Sequence, residues 1–228
     1  MLGRTVDDCQ RYRTVDAVWD GVLSRLRALD ALFVNLECCL STRCRPWQRT
    51  DCPFHFHADP KWAVLALSAA DIAYSGAGRD AQATDPDLLV ASLHWGPNMT
   101  MAVFDRHREV GHWLLDRGVD VVHGHSAHVF TAVEVAADGL LMYDRGDFPD
   151  DYAVDDALHN DRSLLFELTV SDDETPQTLR LVPVEIRGCA VHPAPDDVAR
   201  WCRETMRERS REFGMAFERE DGSLVVER

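Results

Sequence analysis

Segments with helical spacing of apolar residues alternate along the chain with short apolar runs that are typical of strands. The helical spacing predicts amphipathic helices over residues 15–29, 60–70, 104–117 and 196–213. The strand-like runs lie at residues 31–37, 88–93, 119–122, 129–135, 140–143, 163–170, 178–186 and 224–226. Strands that alternate with helices are typical of the α/β class, in which a buried sheet carries helices on its faces.

Three turn and cap signals support these boundaries. Asp59 followed by Pro60 is the pattern of a helix N-cap with proline at the first helical position. In the helix over residues 104–117 we expect Val110, Trp113 and Leu114 to point inward, and Gly118 is placed to end this helix. Asp138-Gly139 separates two strand-like runs, which predicts a β-hairpin.

Polar side chains stand where several predicted strands stop. Glu37 follows the strand over residues 31–37, and His94 follows the strand over residues 88–93. After the run 119–122 come His123, Gly124 and His125, and then His128. We predict that Gly124 allows a sharp turn and a close backbone approach. Open α/β sheets bind ligands at the carboxyl ends of their strands.

A carboxylate and three imidazoles are sensible ligands for one or two divalent metal ions. We therefore predict that Glu37, His94, His125 and His128 cluster at one edge of the sheet and bind metal. The alternative interpretation is that each residue has a structural role, and that the histidines lie by chance in a polar loop.

The charge of the chain argues against several classes of partner. Acidic residues number 39 against 24 basic ones, the net charge is −15, and Lys61 is the lone lysine. Nucleic-acid binding and docking on an anionic membrane both need a basic surface, so we expect neither. No stretch reaches the length of a membrane span, and residues 1–8 lack a secretory apolar segment, so we expect a cytoplasmic protein.

The seven cysteines are best explained as free thiols. Their number is odd, and a cytoplasmic location disfavours a disulfide framework. A zinc cluster is the alternative, although the spacing is not a paired Cys-x-x-Cys pattern. Its ligands would come from Cys38, Cys39, Cys44, Cys52, His55 and His57.

Several motifs occur in the order typical of one protein family. They are Asn35-Leu36-Glu37, Ser92-Leu-His-Trp-Gly96, Val122-His-Gly-His-Ser-Ala-His128, Glu134 and Tyr143-Asp-Arg-Gly-Asp-Phe148. This chain resembles the capsule-biosynthesis CapA family, also called poly-gamma-glutamate synthesis proteins, of the calcineurin-like metallophosphatase superfamily. The resemblance covers about residues 1–187, and we assign residues 188–228 to a C-terminal helix and tail that pack on this domain.

The resemblance implies a metallophosphatase-like layered α/β sandwich with a dinuclear metal centre. Glu37 resembles the bridging carboxylate, His94 and His125 resemble ligands of one metal, and His128 resembles a ligand of the other. His125 and His128 are the implied catalytic residues. The cofactors would be divalent ions (Mn, Fe, Zn or Mg). The implied partners are a polymer or phosphate-containing substrate and other capsule or polyglutamate synthesis proteins.

Two motifs of the family have no counterpart in this sequence. The family opens with a strand ending in Gly-Asp, before a turn that resembles Met1-Leu-Gly-Arg4, and it later has an Asn-Asn-His motif. Asp147 stands where the family often has Asn. We therefore expect an incomplete domain that binds metal weakly and hydrolyses little. The alternative function is a truncated or degenerate homologue that acts as a binding or scaffold protein.

Overall fold

The computed structural model describes residues 2–43, 56–70, 74–75, 88–136, 139–172 and 175–227. It forms two compact units. Unit 1 comprises Met1–Gly76, Phe148–Ala153 and Glu185–Pro193, and unit 2 comprises Ala77–Asp147, Val154–Val184 and Ala194–Arg228. The predicted division into residues 1–187 and 188–228 was based on the family resemblance rather than on compactness, and it stays a prediction.

The described helices are α1 (Thr5–Gln10), α2 (Leu23–Leu26), α3 (Pro60–Ala69), α4 (Asp105–Leu115) and α5 (Asp196–Arg209). Short 3-10 helices lie at Val15–Val18, Asp20–Val22 and Arg211–Phe213. The described strands are β1 (Phe33–Val34), β2 (Cys39–Leu40), β3 (His57–Ala58), β4 (Tyr74–Ser75), β5 (Val90–His94), β6 (Val121–His125), β7 (Val133–Ala136), β8 (Gly139–Met142), β9 (Arg162–Val170), β10 (Pro176–Arg187), β11 (Ala190–Pro193), β12 (Glu218–Glu220) and β13 (Ser223–Glu227).

The predicted single helix over residues 15–29 is wrong. Two 3-10 helices and the four-residue α2 occupy this segment instead. Asp20 has a positive φ of 37°, which an α-helix cannot contain, and Gly21 follows it. The apolar residues still point inward, since Val18 and Trp19 are buried and the Trp19 indole N–H donates to the Ala66 carbonyl at 2.8 Å.

Helix α3 confirms the predicted N-cap. Asp59 has an extended backbone, and its Oδ1 accepts a hydrogen bond from the Lys61 backbone N–H at 2.9 Å. Pro60 occupies the first helical position, where its missing N–H costs nothing. Elsewhere in unit 1, β1 pairs with β4 and β2 pairs with β3, and both pairs are parallel.

A four-stranded sheet with the order β5-β6-β8-β7 forms the centre of unit 2. Strands β5, β6 and β8 are parallel, and β7 pairs antiparallel with β8. This antiparallel pairing places Ala136 opposite Gly139, which confirms the predicted hairpin, while residues 137–138 of its turn lie outside the described residues. The sheet is buried on both faces, as its nearly continuous apolar runs predict.

Each face of this sheet has its own core. One face packs with the α4 side of unit 2, through Leu115, Val119, Val122, Ala132, Leu141 and Tyr143. The other face packs with α5 and with the second sheet, through Val121, Val133, Leu140, Met142, Leu179, Leu181, Val198, Cys202, Met206, Leu224 and Val226. In the second sheet, β10 pairs with β9 and with β13, and β13 pairs with β12.

Helix α4 presents a different face to the sheet from the one predicted. We expected Val110, Trp113 and Leu114 to point inward, but Val110 is 45% exposed and Trp113 is 52% exposed. The buried residues are His107, Gly111 and Leu115, with Leu114 partly buried beside them. A Cβ at Gly111 would lie 2.9 Å from the Leu141 side chain, so the glycine lets the helix approach the sheet closely.

The combination of helices and sheets confirms the α/β class, and the metallophosphatase-like layering stays a prediction. Strands β9, β10 and β13 occupy the runs predicted for them, and α5 covers residues 196–209 of the segment 196–213. In the part of the chain that the structure describes, every helix is too short or too polar to cross a bilayer.

Candidate functional site

Two of the predicted site histidines lie side by side at the ends of β5 and β6. The strands are adjacent and parallel, and their register places His94 opposite His125 and Ser92 opposite His123. The ring centroids of His94 and His125 are 5.3 Å apart in an edge-to-face arrangement. The structure therefore brings these two residues together at the carboxyl edge of the sheet, where ligands bind in α/β folds.

Gly124 lies within β6 rather than in a turn after it. The predicted end of the strand at residue 122 is wrong, because β6 continues through His125 and is buried along its whole length. The predicted close approach is correct. A Cβ on Gly124 would lie 2.0 Å from the Tyr143 carbonyl oxygen and 2.6 Å from the Trp95 indole nitrogen. That indole N–H donates to the same carbonyl at 2.7 Å, so only glycine fits here.

The turn that follows β6 is held by hydrogen bonds to the segment after β5. The Ser126 hydroxyl donates to the Trp95 carbonyl and, at 3.2 Å, to the Gly96 carbonyl. The Met99 backbone N–H donates to the Ala127 carbonyl at 2.8 Å. Ser126 and His128 both have positive φ values, of 134° and 60°. Such backbone conformations persist where surrounding contacts enforce them, and they cluster at functional sites.

The Asp144 side chain also holds the turn that follows β6. Its carboxylate is buried and accepts hydrogen bonds from the Ala127 backbone N–H at 2.7 Å and the Gly146 backbone N–H at 3.0 Å. Burial raises the pKa of Asp144 to about 6, although the two backbone donors oppose this shift. Asp144 therefore fixes the two loops that carry His128 and Asp147.

His128 is oriented by a carboxylate. Its Nδ1 lies 2.9 Å and 3.0 Å from the two carboxylate oxygens of Asp147. The Ser163 hydroxyl donates to the Asp147 backbone carbonyl and so helps to fix this residue. A carboxylate on one ring nitrogen is the usual second partner of a metal-binding histidine, which then binds the metal through the other nitrogen.

Burial keeps the two β6 histidines neutral. It lowers the pKa of His125 to about 4, and the Arg145 charge adds to this effect. Burial also lowers the pKa of His123 well below its usual value, and the Ser92 hydroxyl lies 3.1 Å from His123 Nδ1. A neutral imidazole is the form that binds a metal ion, so the protonation state of His125 suits the predicted role.

Similarity to known proteins adds to this geometry. Residues 76–152 match the model of the bacterial capsule synthesis protein family PGA_cap. A probable polyglutamine synthesis accessory protein of Mycobacterium tuberculosis is 29% identical over 172 residues, which are 72% of this chain. The PGA biosynthesis protein CapA of Bacillus subtilis is 25% identical over 142 residues, or 62% of this chain. The chain is therefore similar to CapA-type capsule synthesis proteins.

The similarity covers part of these CapA-type relatives. The chain spans 45% of the length of the Mycobacterium tuberculosis protein and 36% of the Bacillus subtilis protein. The capsule biosynthesis protein CapA of Bacillus anthracis is 25% identical over 150 residues, which are 65% of this chain and 35% of that protein. The match to the CapA-type family model contains His94, His125, His128, Asp144 and Asp147.

Glu37 is the one predicted CapA-type ligand that lies in unit 1. It follows β1, whose parallel pairing with β4 fixes the strand from which it emerges. Its role as a bridging carboxylate stays a prediction, as do the metal-binding and catalytic roles of the histidines. Within the described ranges, which omit residues 44–55 and 76–87, no three His, Cys, Asp or Glu side chains form a group that could hold a metal ion.

The alternative zinc cluster also stays a prediction, because Cys44, Cys52 and His55 lie outside the described residues. Cys39 in β2 pairs in register with His57 in β3. A His57 ring nitrogen hydrogen-bonds to the Ser41 carbonyl. His57 thus has a structural contact in this part of unit 1.

Sequence reasoning missed Asp144 and Asp147, which hold the turn at His128. Both follow β8 in the Tyr143-Asp-Arg-Gly-Asp147 stretch, and we noted Asp147 only as a replacement for Asn. The available signal was their position, since two carboxylates come directly after a buried strand, as Glu37 does. The same reasoning that selected Glu37 would have selected them.

Proposed function

We propose that this chain takes part in the biosynthesis of a bacterial capsule or poly-gamma-glutamate polymer, as a metal-dependent phosphoesterase-like protein. The similarity to a PGA biosynthesis protein and a capsule biosynthesis protein supports a role in making such a polymer. The main support for metal dependence is the pairing of His94 and His125 at the ends of two parallel strands. Its substrate would be a polymer or a phosphate-containing compound, and its partners would be other polymer synthesis proteins.

The donor set fits a divalent metal in its chemistry. His94 and His125 offer imidazole nitrogens from adjacent strands, and His128 is oriented through its Nδ1 by Asp147. Imidazole with carboxylate suits Zn, Mn or Fe better than Mg. When bound, such an ion supplies Lewis acidity and lowers the pKa of a bound water.

The protein's own residues have the following proposed roles. Asp147 keeps a proton on His128 Nδ1, so that Nε2 is directed as the basic nitrogen of the ring. Asp144 holds the backbone of both loops and fixes the distance between them. Gly124 and Trp95 keep β6 close to the end of β8, which maintains the position of His125.

The direct test is metal binding by the purified chain. We expect at most one Mn²⁺ or Zn²⁺ per chain by elemental analysis, with weak binding in calorimetric titration. His94→Ala or His125→Ala should lower the metal affinity of the chain by 10- to 100-fold, the usual cost of losing a metal-site partner. His159→Ala is the matched control, because the His159 ring packs on Trp201 rather than on His94 or His125. Binding that is unaffected by all three changes would contradict the proposed site.

The alternative is a binding or scaffold role without catalysis. Hydrolysis of bis(p-nitrophenyl) phosphate with Mn²⁺ separates the two functions. We expect turnover to be low and to disappear in His128→Ala. Turnover that persists in His128→Ala would refute catalysis at this site. Metal binding without turnover would favour the scaffold.

A further inference from the structure

Two cysteines that are far apart in sequence meet in unit 1. Cys9 lies in α1, and Cys189 lies in the turn between β10 and β11. Their sulfur atoms are 3.3 Å apart, and both residues are partly buried free thiols. Two sulfurs at this separation are in direct contact. The prediction of free thiols gives no reason for two of them to meet.

Neighbouring hydrogen bonds hold the two cysteines in place. The Gln10 side-chain amide donates to the Cys189 carbonyl at 2.8 Å, and the Arg13 guanidinium donates to the Gly188 carbonyl at 2.9 Å. Gly188 and Cys189 both have positive φ values, of 57° and 64°, as in the tight turns of β-hairpins. The turn is therefore fixed on the end of α1, and the thiol contact is part of a defined interface within the unit.

We propose that Cys9 and Cys189 are a reversible disulfide site that closes by exchange with a small-molecule or protein disulfide. A disulfide bond is about 2.05 Å long, so the sulfurs need to approach by about 1.3 Å, which small rotations of two side chains provide. The bond would link α1 covalently to the β10–β11 turn. It would also oppose the separation of segments that are distant in sequence.

The chemistry is balanced with oxidised glutathione as the oxidant. The Cys9 thiolate attacks one glutathione sulfur, forms a mixed disulfide and releases one glutathione thiolate. Cys189 then loses its proton and attacks the Cys9 sulfur, which releases the second glutathione. The protein loses two electrons and two protons, and one glutathione disulfide becomes two thiols. Burial and the Cys9 contact raise the pKa of Cys189 to about 12, which supports Cys9 as the first nucleophile.

The test uses the full chain in mixtures of reduced and oxidised glutathione, followed by alkylation and trypsin digestion without reduction. Cleavage after arginine yields the peptides 5–11 and 188–200, each with a single cysteine. We expect these two peptides to be joined as the main disulfide product, with a yield that rises with the oxidised share and returns to zero in dithiothreitol. The thermal midpoint of the oxidised chain should rise by about 5 to 10 °C.

Matched variants make the result specific. Cys9→Ser and Cys189→Ser should each lose the joined peptide and the rise in thermal midpoint, whereas Cys39→Ser, which removes an exposed thiol of the same unit, should keep both. Glutathione adducts on both peptides without the joined product would overturn the proposal. A different cysteine pair as the main product would overturn it as well. The wild-type peptide analysis decides the question even if a serine variant fails to fold.

Discussion

Gly124→Ala is the substitution that tests most directly how the site is built. Gly124 has no positive φ, so alanine causes no backbone strain there, and its effect is purely steric. The new Cβ would lie 2.0 Å from the Tyr143 carbonyl oxygen, well inside an ordinary contact, and 2.6 Å from the Trp95 indole nitrogen. The carbonyl belongs to the backbone next to β8, so the clash cannot be relieved by rotating a side chain.

The expected cost follows from two contributions. Overpacking of a tight interior costs about 3 kcal/mol at the upper end of its usual range. Separation of β6 from the end of β8 also breaks the bond from the Trp95 indole to the Tyr143 carbonyl, which adds about 1 kcal/mol. We therefore expect the free energy of unfolding to fall by about 4 kcal/mol and the thermal midpoint to fall by about 8 to 16 °C.

Urea denaturation followed by circular dichroism measures this loss, with Gly118→Ala as the control. Gly118 has a φ of 85° and open space around its Cα, so alanine there causes backbone strain without a clash and should cost about 1 kcal/mol. In a Trp95→Phe background, Gly124→Ala should cost about 1 kcal/mol less, because the indole bond is already absent. A Gly124→Ala midpoint equal to that of Gly118→Ala would refute the steric reasoning.

Two further predictions concern single carboxylates. Asp59→Ala should lower the free energy of unfolding by about 1 kcal/mol in urea denaturation, because it removes the N-cap of α3. Asp59→Ser should keep most of this stability, because serine is also a good N-cap. For Asp144, burial raises the folded-state pKa to about 6 from 3.8, so ionisation disfavours the folded state. The stability of the wild type relative to Asp144→Asn should therefore fall by about 3 kcal/mol as the pH rises from about 3 to 7. A difference that stays constant or increases over this range would show that the backbone donors outweigh burial.

The sequence predicted best those features that depend on local pattern. The α3 cap needs only Asp59 and Pro60, and β6 and β8 are apolar because both faces of the sheet are buried. The pairing of His94 with His125 follows from two parallel strands that end together. These inferences need no knowledge of which helices and strands pack against one another.

The wrong predictions concern features that depend on tertiary contacts. The inward face of α4 was misassigned because His107 reads as polar and Gly111 as neutral, yet contacts with Trp95 and Leu141 bury both. The helix over residues 15–29 breaks at Asp20, whose positive φ no periodicity reveals. Asp147 reads as part of an acidic loop until the fold places it against His128.

The discontinuity of unit 1 has a consequence for synthesis on the ribosome. Its first 76 residues are made early, but the segment Glu185–Pro193 that completes it emerges much later. At 5–20 residues per second, the delay is on the order of ten seconds. During that time, the 3-10 helices at Val15–Val18 and Asp20–Val22 are without β11, which contacts both of them in the finished unit. Until β11 is added, this part of the nascent chain is a substrate for chaperones that shield apolar segments.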